Sequence, residues 1–321
     1  MSNLVIQVVD YKVFLNRDTG RRCTRITTSN DLFSACSNLT GYRILDTMTN
    51  NVKVAALQMV STADVEENLA TAGDLIRQAA DQQAQLAVLP EFFPIIGKNE
   101  RAKLRHQEPY GAGPIQAFLA ANAREYGIWL MGGTIPIASG DSGRVHNSCL
   151  LFNPDGVCTA RYDKIHLFDV RVGGGKESYN ESRTMLAGDQ VVVAATPFGN
   201  IGMSICYDLR FPELYRRMLA REAVILTVPS AFTETTGRKH WELLLKARAV
   251  ENLCFVIAPN QGGEHSDQRR TWGHSMIIDP WGEVLGTLEF GAGLVCVELD
   301  LAHQHELRDS FPALQHTHLL Q

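Results

Sequence analysis

The stretch GMSICYDLRFPELYR, residues 202–216, places a single cysteine between an apolar run and a helical pattern that begins with proline. The apolar residues before Cys206 predict a buried strand, and Pro212 suits the first turn of the following helix. Backbone N–H groups at a helix start are unpaired and carry partial positive charge. At such a position the thiolate form of a cysteine is favoured. The N–H of Tyr207 is placed to bind an oxyanion. Cys206 is therefore a candidate nucleophile, with a buried structural cysteine as the alternative.

Strand and helix patterns alternate on both sides of this stretch, from residue 52 onward. VKVAALQM (52–59) and AVILTV (223–228) predict buried strands, and PIQAFLAANAREYG (114–127) predicts a helix. HNSCLLF and VCTARYDK, within residues 146–164, flank turn residues and predict an antiparallel hairpin. Parallel βα units mixed with hairpins imply an α/β fold of mixed sheets covered by helices. The even composition after residue 52 favours one domain.

The first 47 residues differ from the rest of the chain. RDTGRRCTRITTSN (17–30) is polar and has no sustained periodicity, and Met48 directly precedes the first clear strand pattern. We expect residues 1–47 to be a loosely ordered extension, or the result of a misjudged translation start. We expect residues 48–321 to form the folded domain.

Composition and charge narrow the class of protein. Of the 321 residues, 45% are hydrophobic and 20% are charged, and the formal net charge is -5, which is typical of a soluble globular protein. The chain has no long basic block for nucleic acid and no apolar run of the roughly 20 residues that span a bilayer. Its seven cysteines include no CxxC pair, which argues against a disulfide framework and a structural zinc site. We expect a cytoplasmic protein without nucleic-acid or membrane partners.

Two more segments place a charged residue just after a predicted strand. In LAVLPEFF, Glu91 follows a buried strand, and a carboxylate at a partly dry site suits a general base. In ARYDKIHLFDV, Lys164 follows a strand, where an ammonium group can stabilise negative charge on a reacting oxygen. Taken alone, a glutamate paired with an arginine and an ordinary surface lysine are the alternatives.

The three segments, in this order, resemble the signature of the nitrilase superfamily of carbon–nitrogen hydrolases. The resemblance covers the chain from about Val52 to about His318. It implies a four-layer αββα sandwich of mixed sheets. It also implies a Glu-Lys-Cys triad, in which Glu91 is the general base, Lys164 stabilises the oxyanion and Cys206 is the nucleophile.

The resemblance has further implications for the site and the reaction. A second glutamate often assists the lysine in this family, and KESYNES offers Glu181 for that role, with Glu177 as the rival. The reaction passes through a cysteine thioester and requires neither a metal nor an organic cofactor. Family members usually pair, so the resemblance implies a homodimer or a higher homo-oligomer.

Residues 229–263 and 272–286 are similar to one branch of the superfamily, the amidases that hydrolyse deaminated glutathione. Their products are 2-oxoglutarate and cysteinylglycine, so the implied substrate is a small amide that carries carboxylate. The alternatives are an ω-amidase that acts on 2-oxoglutaramate and an N-carbamoyl amide hydrolase.

Residues near the nucleophile and after a later strand are candidates for substrate binding. Arg210 lies four residues past Cys206 and can bind a carboxylate bidentately, although an ion pair with Glu213 or Asp208 is equally expected. Phe232 and Thr236 belong to AFTETTG (231–237), a predicted loop that follows a strand end, where α/β folds commonly bind ligands. We expect them to supply an apolar wall and a hydrogen-bond donor.

Two other functional classes compete with the amidase. A thiol hydrolase of the Cys-His kind would use His146 or His166 as its base, but the local signatures of those families are missing. A non-catalytic member of the same fold would usually have lost a residue of the triad. Since all three are present, we favour the enzyme.

Overall fold

The computed structural model describes residues 4–8, 11–15, 51–97, 100–175, 177–265 and 269–318. The chain divides into two compact units, Met1–Thr47 and Met48–Gln321. In the first unit, strands β1 (Leu4–Val8) and β2 (Tyr11–Leu15) pair antiparallel. Most of residues 1–47 lies outside the described residues, so the expectation of a loosely ordered extension stays a prediction.

Within the described part of the second unit, the first sheet has seven strands: β3 (Asn51–Gln58), β4 (Leu86–Val88), β5 (Trp129–Met131), β6 (Ile135–Ala138), β7 (Val145–Phe152), β8 (Cys158–Asp163) and β17 (Gly293–Asp300). Their order is β17-β3-β4-β5-β7-β6, and β8 also pairs with β7. Strands β3, β4 and β5 run parallel, whereas the other pairs are antiparallel. This sheet is therefore mixed, as the sequence predicts.

The second sheet contains β11 (Val193–Thr196), β12 (Gly199–Met203), β13 (Ala223–Thr227), β14 (Phe255–Ala258), β15 (Ser275–Ile278) and β16 (Val284–Leu288), in that order. Its central strands β12, β13 and β14 run parallel, and the outer pairs are antiparallel. A separate antiparallel hairpin consists of β9 (Asp169–Val172) and β10 (Glu177–Asn180).

The α-helices of the described residues are α1 (Val65–Asp81), α2 (Pro114–Tyr126), α3 (Pro212–Leu219), α4 (Glu234–Asn252) and α5 (Leu301–Ser310). The 3-10 turns are Glu100–His106, Gly173–Gly175, Glu181–Arg183, Cys206–Arg210 and Ala313–His316. In the part of the chain described here, none of the helices combines the length and the apolar character needed to cross a bilayer.

Both faces of the first sheet are buried, which creates the layers. On β3, Ala55 and Leu57 face a cluster that contains residues of α1 and α2. The alternate residues Val54 and Ala56 belong to a cluster that contains the second sheet together with α3 and α4. Since successive side chains of a strand point to opposite faces, the first sheet lies between the α1/α2 layer and the second sheet. The predicted αββα sandwich is confirmed.

Two helix starts show how the sequence sets the local structure. The side chain of Asp64 caps α1 by accepting hydrogen bonds from the N–H groups of Glu66 and Glu67. Helix α4 begins at Glu234, inside the segment that we expected to be a loop, because Thr233 caps it by accepting from the N–H of Thr236 at 3.3 Å. Thr236 therefore lies in the first turn of a helix.

Candidate active site

Three strand ends bring Glu91, Lys164 and Cys206 to the same pocket. Glu91 follows β4, Lys164 directly follows β8, and Cys206 follows β12 of the second sheet. The three side chains line this pocket together with Glu181. The exposed fractions of Glu91, Lys164 and Cys206 are 1%, 2% and 7%. An acid, an ammonium and a thiol therefore share a largely dry site.

The ammonium of Lys164 lies between two carboxylates. Its Nζ is 2.8 Å from Oε1 of Glu91, and 2.9 Å and 3.1 Å from Oε2 and Oε1 of Glu181. Burial alone would lower the pKa of Lys164, but the charges of Glu181 and Glu91 outweigh it and hold the pKa well above its ordinary value. Lys164 is therefore a fixed positive charge at neutral pH.

Glu181 and Glu177 have different surroundings. Glu181 begins a 3-10 turn, and its Oε2 also accepts a hydrogen bond from the N–H of Phe168 at 2.7 Å. The carboxylate of Glu177 accepts instead from the hydroxyls of Tyr179, at 2.8 Å, and Thr235, at 2.5 Å. The structure thus brings Glu181 to Lys164 and places Glu177 elsewhere.

Each oxygen of the Glu91 carboxylate is held in place. Oε1 accepts from Nδ2 of Asn147 at 2.9 Å, in addition to Lys164, and Oε2 accepts from the N–H of Ala231 at 3.0 Å. Nδ2 of Asn147 also lies 3.5 Å from Oε1 of Glu181, so this amide bridges the two carboxylates. The orientation of Glu91 towards the pocket is therefore fixed by three donors.

The backbone at Cys206 is strained. Its φ is 47°, in the left-handed region that costs a residue with a side chain about 1–3 kcal/mol. The N–H of Cys206 donates to the carbonyl of Pro229 at 3.0 Å, and Cys206 opens the 3-10 turn Cys206–Arg210. Among the described residues, the N–H of Tyr207 has no acceptor. It is therefore available to an oxyanion.

Two expectations about this segment differ from the structure. The helix that begins at Pro212 does not follow Cys206 directly, because the 3-10 turn intervenes. The thiolate is not favoured in the resting site: burial and the charge of Glu91 raise the pKa of the Cys206 thiol, and the opposing effect of Lys164 is smaller. The resting nucleophile is therefore a protonated thiol beside the Glu91 carboxylate.

Tyr207, Phe232 and Thr236 line the pocket, as the sequence predicts, but Arg210 does not. The guanidinium of Arg210 lies 5.8 Å from the ring centroid of Tyr207 and 5.3 Å from that of Phe232. Nδ1 of His240 is 3.4 Å from its Nη1. No ion pair between Arg210 and a carboxylate occurs in the described ranges, and its guanidinium contacts the rings of two residues that line the pocket.

Two further cations line the pocket. Nζ of Lys103 lies 3.7 Å from the ring centroid of Phe92, and the guanidinium of Arg269 lies 5.6 Å from that of Tyr179. Lys103 is 5% exposed. The lining thus contains three cations and two carboxylates, and both carboxylates, Glu91 and Glu181, pair with Lys164.

The histidines considered as alternative bases lie outside the pocket lining. Nδ1 of His146 is 3.0 Å from the carbonyl oxygen of Leu186. The ring of His166 stacks on Phe211 with a centroid separation of 3.6 Å, and its Nδ1 is 2.7 Å from Asp208. A Cys-His arrangement is therefore not formed around Cys206. Within the described residues, no cluster of His, Cys, Asp and Glu could hold a metal ion.

Residues 53–309 match the model of the carbon-nitrogen hydrolase family. The chain belongs to this family. A deaminated glutathione amidase of Synechocystis is 44% identical over 82% of this chain and 96% of its own length. The human deaminated glutathione amidase is 39% identical over 82% of this chain and 81% of its own length. The solved structure of yeast Nit3, a member of the nitrilase superfamily, matches with a TM-score of 0.75 at 29% identity, over 85% of this chain and 98% of Nit3. The predicted superfamily and its hydrolase class are confirmed.

Several residues of this carbon–nitrogen hydrolase site were missed by sequence reasoning. Asn147 carried one weak signal, an amide inside the apolar strand HNSCLLF. Lys103 and Arg269 carried none, because they follow no strand and match no motif used here. Asp208 stands in the quoted nucleophile segment and was considered only as a partner of Arg210.

Proposed function

We propose that this protein is an amidase that hydrolyses deaminated glutathione through a thioester on Cys206, giving 2-oxoglutarate and cysteinylglycine. One observation carries the proposal: the ammonium of Lys164 contacts Glu91 and Glu181 in the pocket that contains Cys206. This arrangement combines a nucleophile, a base and a fixed positive charge.

In the proposed mechanism, Glu91 takes the proton of the Cys206 thiol as sulfur attacks the amide carbon. Because burial raises the pKa of this thiol, proton transfer accompanies the attack and does not precede it. The sulfur–carbon bond forms, and the carbonyl electron pair moves to oxygen. When the tetrahedral intermediate collapses, the carbon–nitrogen bond breaks, and the amine leaves with the proton from Glu91.

The oxyanion is stabilised by the N–H of Tyr207 and the ammonium of Lys164. Removing one such donor typically lowers the rate by about two to three orders of magnitude. Glu91 then takes a proton from water, which attacks the thioester. The water oxygen bonds to the acyl carbon, the carbon–sulfur bond breaks, and the acid leaves as Glu91 passes the proton to the sulfur of Cys206. The site thus completes one cycle without a net change of charge.

Two observations favour an amide that carries carboxylate. The pocket lining contains Lys103 and Arg269 in addition to Lys164, so an anionic substrate meets complementary charge. Both amidases named above act on deaminated glutathione according to their names. We therefore assign carboxylate binding to Lys103 and Arg269, with Tyr207, Phe232 and Thr236 as neighbouring walls. Arg210 contacts the rings of Tyr207 and Phe232.

The test is an activity panel of deaminated glutathione, 2-oxoglutaramate and N-carbamoyl-β-alanine, with Cys206→Ala as the control. We expect kcat/KM for deaminated glutathione to exceed the other two by more than about tenfold, a difference of about 1.4 kcal/mol in transition-state binding. A preference for 2-oxoglutaramate or N-carbamoyl-β-alanine would contradict the proposed substrate but not the assignment of the protein as an amidase. Hydrolysis by Cys206→Ala at the wild-type rate would overturn the mechanism.

Two properties that the family resemblance implies complete the proposal. We propose a homodimer or a higher homo-oligomer, and a cytoplasmic location. Sedimentation of the purified protein tests the first, since a monomer at micromolar concentration would contradict it. Fractionation of cells tests the second.

A further inference from the structure

Asp208 lies in the same 3-10 turn as the nucleophile, two residues after it, and is fully buried. Its Oδ2 accepts from the hydroxyl of Tyr162 at 2.7 Å and from the N–H of Ile205 at 2.9 Å. Its Oδ1 accepts from the N–H of His166 at 3.0 Å and lies 2.7 Å from Nδ1 of the same residue. Four donors match the lone pairs of an ionised carboxylate, so His166 carries its hydrogen on Nδ1.

These donors belong to two separate segments of the chain. Tyr162 and His166 flank Lys164 on either side, at the end of β8 and just beyond it. Ile205 directly precedes Cys206 and belongs to the second sheet's side of the pocket. Asp208 therefore ties the segment that carries the ammonium to the segment that carries the thiol.

The hydrogen bonds of Asp208 also bear on the strained backbone at Cys206. Cys206 keeps a φ of 47°, although it is not glycine, so its neighbours must hold it in that conformation. Asp208 holds the N–H that precedes Cys206, and Pro229 holds the N–H of Cys206 itself. Phe211, which follows the same turn, stacks on the ring of His166 with a centroid separation of 3.6 Å.

We propose that Asp208 is a positioning residue that holds Cys206 and Lys164 in register for attack on the amide. The inference rests on the proposed function for its reaction and on the contacts of Asp208 for its geometry. Asp208 does not line the pocket, so it acts through its neighbours and not on the substrate. A mutation far from the reacting groups can displace them slightly, and such a displacement lowers the rate by up to about 100-fold.

A matched pair of tyrosines tests the inference. Tyr162 and Tyr215 are both fully buried, and each has a hydroxyl that hydrogen-bonds, Tyr162 with Asp208 at 2.7 Å and Tyr215 with Ser204 at 2.9 Å. Tyr162→Phe removes one of the four donors, whereas Tyr215→Phe removes a bond to Ser204, two residues before Cys206, that does not involve Asp208. We expect Tyr162→Phe to lower kcat by about tenfold with KM nearly unchanged, and Tyr215→Phe to keep kcat within about twofold, at similar losses of stability.

Asp208→Asn should have a larger effect on kcat. Its side-chain amide has an NH2 group in place of one carboxylate oxygen, and this group cannot accept the hydrogen bonds that the oxygen accepts. We expect kcat to fall by about 100-fold if the variant folds. Equal kcat in the two tyrosine variants, or a folded Asp208→Asn with normal kcat, would overturn the inference.

The rate at which iodoacetamide alkylates Cys206, followed by peptide mass spectrometry, needs no substrate. We expect it to be lower in Tyr162→Phe than in Tyr215→Phe, since Lys164 favours the thiolate only when it is in register. Equal rates would count against the inference. If the wild type hydrolysed no amide in the panel, the proposed function would fail, and the alkylation comparison would still decide the role of Asp208.

Discussion

Substitution of Lys164 by methionine perturbs the site at its electrostatic centre. The side chain of Lys164 is 2% exposed, and it is the shared partner of the Glu91 and Glu181 carboxylates. Removing one member of a buried ion pair costs about 3–5 kcal/mol, because the remaining charge is left uncompensated. Here two carboxylates lose that partner, so we expect a loss at the upper end of that range. Catalysis should suffer as well: the loss of Lys164 as an oxyanion donor should lower kcat by a factor of about 100 to 1,000.

The pH dependence of this loss follows from linkage. The folded pKa of Lys164 is raised, so its contribution to stability is fully present below its unfolded pKa of 10.5 and is lost only as the pH rises through the folded value. Between pH 5.5 and 8, the contribution of Lys164 in the wild type is therefore constant.

The assay is urea denaturation of both proteins at pH 5.5 and pH 8. The variant should be less stable than the wild type by about 3–5 kcal/mol at both pH values, because the contribution of Lys164 is fully present at each. Lys246→Met is the matched control, because Lys246 pairs with Glu242 at 2.8 Å on the surface of α4. Its effect should stay below about 1 kcal/mol at both pH values. A Lys164→Met variant with the stability and kcat of the wild type would refute this reasoning.

Three further predictions follow from single contacts. Glu181→Gln should lower kcat by about tenfold or more, because Glu181 contacts Lys164. Glu177→Gln is the control, since Glu177 does not contact Lys164, and it should keep kcat within about twofold. Equal effects would contradict the assignment of Glu181 as the glutamate that assists Lys164. Lys103→Met should raise KM for deaminated glutathione by about tenfold and leave the kcat/KM of an uncharged amide nearly unchanged; an equal loss for both amides would show that Lys103 binds no carboxylate. Gly237→Ala should lower the free energy of unfolding by about 1–3 kcal/mol, because its new Cβ would lie 2.3 Å from Cβ of Trp272; unchanged stability in thermal unfolding would show that the neighbouring backbone yields freely.

The sequence predicted those parts of the site that depend on local patterns. Glu91 and Cys206 each follow an apolar strand, Lys164 follows the second strand of a predicted hairpin, and such patterns can be read without knowledge of the fold. The α2 helix likewise begins at its proline and ends before Gly127, which has the left-handed φ of 63°.

The parts that the sequence did not predict depend on contacts between distant segments. Asn147 is 56 residues from Glu91, and nothing near it in the chain shows that the two side chains meet. The 3-10 turn after Cys206 is closed by the buried side chain of Asp208, whose partners lie about 40 residues away. The rise in the pKa of Cys206 also depends on burial, which a strand-end pattern does not reveal.

The most direct test of the central claim is acid-quenched mass spectrometry during the first turnover of deaminated glutathione. A fraction of the enzyme should carry the acyl group of the substrate, and peptide mapping should place this mass on Cys206. An acyl group on another residue, or hydrolysis at the wild-type rate by Cys206→Ala, would contradict the claim.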